Sequence, residues 1–316
     1  MKSLRDIKGP GESFLGFALI RNATEGKTQK QSSFLTFELV DNDRSIEAKL
    51  WDSSEEDAFL FTAEKLVKVQ GKIDEYRGQL QLKIEKIRIV EDRDGVSIEQ
   101  FIPRAPENTE DMVKEFEGVL SSIGTPILKE ITERLYYKNK EKFIIQPAAS
   151  KNHHNYWGGL LYHCLSMSRQ ARYFATQYKM LNIDLLLSGI ALHDIGKVEE
   201  LSNPISPSYT RKRLVGHIAL GMMWIDREVQ AMKEEGREIT EEEEELIDEL
   251  LHLVGSHHGD VSLGWGSVVT PMTLEARFLH QIDKTDADHE MIRSGLEGKE
   301  EGEFHKIWPV GSFLKK

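Results

Sequence analysis

The chain of 316 residues contains a single cysteine, Cys164. That excludes an intrachain disulfide framework and a thiolate-rich zinc site, and it fits a reducing cytoplasm. Any metal must therefore be held by His, Asp or Glu. No apolar run approaches the roughly 18 residues of a membrane span. The apolar stretch Ser13 to Ile20 is short, contains a glycine, follows Asp6 and Glu12 and lacks a small-residue cleavage site, so no secretory signal is expected. The expectation is a cytoplasmic protein without a membrane partner. Positive charge is scarce too: 41 Lys and Arg against 53 Asp and Glu leave a formal net charge of −12, which ordinarily argues against nucleic acid. The distribution weakens that objection. Seven basic residues face three acidic ones between Lys65 and Val90, whereas Glu234 to Glu249 holds ten acids and one arginine. The acidic run reads as a solvated helix start, because Thr240 and Glu243 form a Thr-x-x-Glu capping box.

Histidine is missing from the first 152 residues; all eleven lie between His153 and His305. At ~150 residues per domain the length suggests two domains, and the histidine segregation suggests two chemistries. The stretches Ser13 to Arg21, Ser33 to Val40, Arg44 to Trp51, Lys65 to Ile73 and Gln79 to Val90 read as strands bounded by turn residues, with one short helix between Ser53 and Phe61. Five strands with a helix after the third is the order of an OB-fold β-barrel. The pattern breaks into charges, Gly95 and two prolines, and the period then becomes helical. The predicted class is α+β multidomain: a five-stranded OB-fold over 1–92, a linker over 93–108 and an all-α domain over 109–316. Helices are expected over Thr109 to Ile123, Pro126 to Lys140, Gly159 to Met180, Asp184 to Ile195, Leu214 to Lys233, Glu241 to Val254 and Pro271 to Ala287. Pro271 looks like an N1 proline behind Thr270, and Gly196 like a C′ glycine closing the Asp184 helix.

His193-Asp194 alone proves little, since about two such dipeptides are expected by chance in this composition. Its context is more informative: an apolar helix ends in an imidazole, an adjacent carboxylate, a glycine and Lys197. His163 shares a helix face with Leu160, Met167 and Phe174, and His217 with Leu214, Gly221 and Trp224. His257 and His258 follow the Leu246, Leu250, Val254 face, and Asp283 lies with Ala276, Leu279 and Ala287. A single histidine on such a face is more often a structural residue; five helices each turning a ligand-type side chain inward is a different matter. Imidazoles and carboxylates without thiolates suit Mn²⁺, Fe²⁺ and Co²⁺ as well as Zn²⁺. His252, His280, His289 and His305 read as packing or surface residues, and Cys164 as small-hydrophobe packing.

The series His163, then His193-Asp194, then Asp283 resembles the signature of the HD-domain metal phosphohydrolases. His217 and the pair His257 and His258 resemble the extra ligands of its two-metal branch. With the OB-fold in front, and with Ala48-Lys49-Leu50-Trp51-Asp52, Val67 to Lys72 and Tyr76 to Gln81 as further matches, the chain resembles the YhaM-type 3′-to-5′ exoribonucleases nearly end to end. That resemblance implies two divalent ions, with Mn²⁺ expected and Co²⁺, Fe²⁺, Mg²⁺ and Zn²⁺ as alternatives. One ion would take His163, His193, Asp194 and Asp283, and the other Asp194, His217 and His257 or His258. It implies hydrolysis of single-stranded RNA, and of single-stranded DNA as a further substrate, to 5′-mononucleotides. Asp194 and Lys197 would be the catalytic pair, Lys197 as a cation on the phosphate. Phe37, Lys49, Trp51, Lys72, Tyr76, Arg77 and Lys83 are the candidates for the bound strand. His153 and His154 are candidates for substrate contact at the cavity mouth, and apolar residues on exposed helix faces for self-association. Two other readings compete: an HD phosphohydrolase of free nucleotides or cyclic dinucleotides, and a nucleic-acid-binding adaptor without catalysis.

Overall fold

A computed structural model describes all residues except 30, 43, 77, 151–153, 203 and 206. The chain divides into two compact units, Met1–Arg104 and Ala105–Lys316. In the first, β1 (Ser13–Lys27), β2 (Ser33–Val40), β3 (Ser45–Trp51), β4 (Leu66–Tyr76) and β5 (Gln79–Ile89) close a barrel in the order β1-β2-β3-β5-β4, with α1 (Glu55–Leu60) between β3 and β4. This is the OB-fold expected from the strand order. Period-two alternation fills the interior with Leu35, Phe37 and Leu39 of β2, Ile46 and Ala48 of β3, Val67, Val69 and Ile73 of β4, and Leu82 and Ile84 of β5, all buried. β3 and β5 pair in parallel, and the other ladders are antiparallel. β1 outruns its expected end at Arg21. Its first half pairs with β4 and its second half with β2, and a register shift between Ile20 and Asn22 lets one strand turn the corner. Residues beyond Arg21 are mostly solvated, so no apolar alternation announces them.

The second unit is built of α2 (Thr109–Ser121), α3 (Pro126–Phe143), α4 (Gly159–Gln177), α5 (Ile183–Leu192), α6 (Lys197–Glu200), α7 (His217–Glu234), α8 (Glu241–Ser256) and α9 (Leu274–Leu296). α5 is buried from Leu185 to Leu192, as its near-continuous apolar sequence requires, and α3, α4, α8 and α9 pack around it. Caps set the helix starts: Asn108 for α2, Pro126 at the head of α3, Asn182 for α5, and the Thr240–Glu243 box for α8. Three expectations need correction. α9 begins at Leu274 behind Thr273, whose hydroxyl accepts from Ala276 N at 3.2 Å, so Pro271 lies outside the helix. Gly196 is right-handed (φ −63°) and closes no helix; its lack of a side chain matters because a Cβ would stand 2.2 Å from the His217 carbonyl oxygen. Nor is the unit all helical, since β6 (Phe304–Ile307) and β7 (Gly311–Leu314) form an antiparallel hairpin. Its strands are four residues each and exposed or half-buried except at Ile307, too little pattern to read in advance. Among the described residues no helix is long and apolar enough to cross a membrane.

Candidate metal centre

Each histidine arrives with its ring already oriented. His193 and His257 follow the last residues of α5 and α8, where helix carbonyls lack intrahelical partners, and their Nδ1 groups donate to Ile190 O and Val254 O, both at 2.8 Å. His217 opens α7 and donates from Nδ1 to Glu200 Oε2 at 2.9 Å. His163, inside α4, donates to Asp286 Oδ2 at 2.7 Å, and His258 to Trp265 O at 2.6 Å. Carbonyl and carboxylate oxygens only accept, so all five rings carry hydrogen on Nδ1 and leave Nε2 for the interior.

Those inward atoms converge. His163, His193 and Asp283 form one group whose ligand-type atoms lie within 4.8 Å of one another, and His217, His257 and His258 form another. Asp194 stands between the two. Its Oδ2 is 3.2 Å from His193 Nε2 and 3.9 Å from His163 Nε2, and its Oδ1 is 3.4 Å from His217 Nε2 and 3.8 Å from His257 Nε2. Asp283 Oδ1 is 3.2 Å from His163 Nε2. Lys197 Nζ donates to Asp194 Oδ2 at 2.6 Å.

The donor set fits divalent cations. Asp194 Oδ1 and the Nε2 atoms of His193, His217 and His257 are buried without a hydrogen-bond partner among the described residues, which is costly unless something cationic completes them. Burial, helped by His258 and His193, pushes His257 well below the usual imidazole pKa, and burial lowers His258, so both are neutral lone-pair donors. Burial disfavours charge on Asp194, yet Lys197, His193 and His217 hold its carboxyl well below the ordinary range. Burial opposes a proton on His163 as well, but Asp283 and Asp286 outweigh it and raise its pKa to about 10. The cluster thus draws positive charge to a position where a cation would supply it.

Sequence reasoning missed Asp286 and Glu200. Asp286 Oδ2 accepts from His163 and from His154 Nε2 at 2.6 Å, and its Oδ1 accepts from Ser166 Oγ at 2.5 Å. One helical turn separates Asp286 from Asp283, and that spacing was the available signal. His154 does not sit at a cavity mouth. It is 2% exposed, with Tyr156 at Nδ1 (2.6 Å) and Asp286 at Nε2, behind His163. His153 lies outside the described residues.

On the barrel, register gathers three lysines. Lys49 of β3 pairs with Lys83 of β5, and Lys83 with Lys72 of β4, forming one cross-strand row on the outer face. One row along, Phe34 pairs with Trp51; their rings are 5.0 Å apart, and Lys49 Nζ lies 5.4 Å and 5.6 Å from the two centroids. Trp51 is 40% and Tyr76 57% exposed. Phe37 is a correction: it is 1% exposed and packs edge-on against Phe61, because its position in β2 points into the barrel. Phe34, three residues before it, presents the ring instead. Arg77 lies outside the described residues.

Comparison with known proteins follows the same division. The OB-fold nucleic acid binding domain family matches residues 18–90, and the HD domain family matches 160–288. Fold and site therefore define an HD-domain protein with an OB-fold placed before it in the chain. The 3′-5′ exoribonuclease YhaM of Geobacillus sp. (strain WCH70) is 41% identical over 295 residues, covering 93% of this chain and 88% of that protein. The enzyme of the same name from Bacillus subtilis (strain 168) is 38% identical, covering 93% and 91%. The chain belongs to the YhaM family of 3′-5′ exoribonucleases. A solved domain of replication protein A from Methanococcus maripaludis is 21% identical, covering 28% of this chain and 94% of that one at a TM-score of 0.25, a likeness too slight to argue from.

Proposed function

We propose that this chain is a metal-dependent exoribonuclease that removes 5′-mononucleotides from the 3′ end of single-stranded RNA, with single-stranded DNA as a second substrate, using two divalent cations. The observation that carries the reading is Asp194, whose two oxygens face two separate imidazole groups, as a bridging carboxylate would. His163, His193, Asp194 and Asp283 would hold one ion, and Asp194, His217, His257 and His258 the other. Mn²⁺ is the ion of choice for the test. Divalent cations in those positions supply Lewis acidity toward the scissile phosphate and a lowered pKa for the attacking water. The chain's own residues do the rest. Asp194 keeps its charge against burial and so can serve both groups. Lys197, held charged by Asp194 although burial opposes it, sets a fixed cation beside the phosphate. The Nδ1 anchors keep the rings from turning. On the barrel, the Lys49–Lys83–Lys72 row offers phosphate contacts, and the Phe34–Trp51 pair and Tyr76 offer faces for bases. Like charges opposite one another on a sheet are destabilising, so a row of three fits an anionic partner better than it fits a purely structural face.

The test is incubation of 5′-labelled single-stranded RNA with metal-exchanged protein. A descending ladder that requires Mn²⁺ or a related ion and disappears in a folded Asp194→Ala variant is expected. Full activity of that variant in metal-replete buffer would refute the assignment. Turnover of mononucleotides or cyclic dinucleotides without RNA cleavage would favour a small-molecule phosphohydrolase.

A further inference from the structure

A cavity of about 290 Å³ opens beside the metal centre, and part of its wall has no role in holding cations. At one end are Asp194, Lys197 and Asp283. His258 and His280 line it too, and the rest of the wall is made by Lys284, Ala287, Asp288 and Met291 of α9, Trp265 of the α8–α9 segment, and Pro309 at the β6–β7 turn. From Asp283 to Met291 the α9 face rises about 12 Å, at 1.5 Å per residue. That is the order of the reach from a phosphorus atom to the far edge of its own base. The volume stands just below the roughly 300–1,000 Å³ range of ligand pockets, a size suited to a small ligand such as a single nucleoside.

The chemistry changes along that length. The end at Asp194 and Lys197 is ionic. Beyond it, Ala287, Met291, Pro309 and the Trp265 ring, 52% exposed, offer apolar and aromatic surface, while Lys284 donates to Asp288 along the wall and leaves polar atoms for a sugar or base edge. The wall is also tied to the centre, because the Trp265 carbonyl accepts from His258 Nδ1 at 2.6 Å. The hairpin is seated on α9 by a close approach: a Cβ on Gly295 would lie 2.8 Å from Ile307 Cγ2. Gly295 thereby sets where Pro309 stands without touching the cavity.

We infer that this cavity is the subsite for the terminal nucleoside of the strand, its base lodged among Trp265, Ala287, Met291 and Pro309, and that the C-terminal hairpin is part of substrate recognition. The inference rests on the nuclease reading for its substrate, but base recognition can be measured apart from turnover. Adenosine 5′-monophosphate and ribose 5-phosphate carry the same phosphate and sugar and differ by the base. In calorimetric titrations of the Mn²⁺-loaded full chain, the nucleotide is expected to bind about tenfold more tightly, within the range of a base stacked on protein. Met291→Glu, which puts a carboxylate in the apolar end, and Gly295→Val, which shifts the hairpin, should each shrink that gap toward unity, with metal content by elemental analysis as the control. Equal binding of the two ligands by the parent overturns the subsite, as does an unchanged gap in both variants. A parent that cleaves RNA without a gap sinks the subsite alone. A parent with the gap but no RNA cleavage supports the subsite and overturns the nuclease reading.

Discussion

Replacing Asp286 by alanine tests whether the outer carboxylate, and not the ligand alone, makes His163 a metal donor. Asp286 takes hydrogen bonds from His163 at 2.7 Å, His154 at 2.6 Å and Ser166 at 2.5 Å. Its removal takes an acceptor from all three donors and frees the His163 ring to turn or to move its hydrogen to Nε2, which would block the lone pair. Losing such an outer partner costs about 10- to 100-fold in metal affinity, or about 1.4 to 2.8 kcal/mol. Three lost hydrogen bonds place Asp286→Ala toward the upper part of that range. Glu200→Ala, which strands the single His217 contact at 2.9 Å, belongs toward the lower part. Mn²⁺ titration of the metal-free protein by calorimetry reads the affinity, and urea unfolding checks that each variant is folded. Asp286→Asn separates two causes, because it removes the charge but keeps an oxygen for the histidines. It should lie between parent and alanine. A folded Asp286→Ala protein that binds Mn²⁺ with parental affinity would refute the orientation argument, and equal losses in Ala and Asn would assign the effect to charge.

Three further outcomes follow from the surface. Trp51→Ala should weaken oligonucleotide binding by about 1–3 kcal/mol at every salt concentration, whereas Lys83→Ala should lower the salt slope by about one; fluorescence titration over a salt series distinguishes them, and identical slopes would count against a phosphate role for Lys83. Arg169 hydrogen-bonds Glu107 and Glu115 at 2.6 to 2.8 Å and holds both carboxyls below their ordinary value of 4.5. Carboxylates with depressed pKa contribute stability that is present above the unfolded value and is lost as pH falls through the folded one. Arg169→Met should therefore flatten the decline in urea midpoint below about pH 4.5, by a small amount because all three groups are partly exposed. Chelator in the buffer keeps cation release from adding its own pH dependence, and an unchanged slope would contradict the coupling.

The readable parts of this sequence were those governed by short periods. Alternation placed Leu35, Leu39, Ile46 and Val69 in a barrel, and helical faces picked out His163 and Asp283, which stand in one group of ligand-type side chains, and His217, which stands in another. What escaped depends on register or on close backbone approach. That Lys49, Lys83 and Lys72 stand in a row requires knowing which residue of β3 faces which of β5. That Phe34 and not Phe37 turns outward is a matter of one pleat. The role of Gly196 lies in the nearness of His217, and Asp286 looks like any surface acid on a helix until His154 and His163 are seen to lean on it.

The dispersal of the imidazoles and acids over α4, the end of α5, α7, the end of α8 and α9 has a consequence for timing. A chain still being synthesised has no Asp283 and no Asp286 until α9 has been made, and the His193 and His257 rings are held by carbonyls that reach them only once α5 and α8 have wound. Cation capture is thus a late event tied to completion of the helical unit, and a nascent chain that still lacks α9 also lacks the two carboxylates that serve His163.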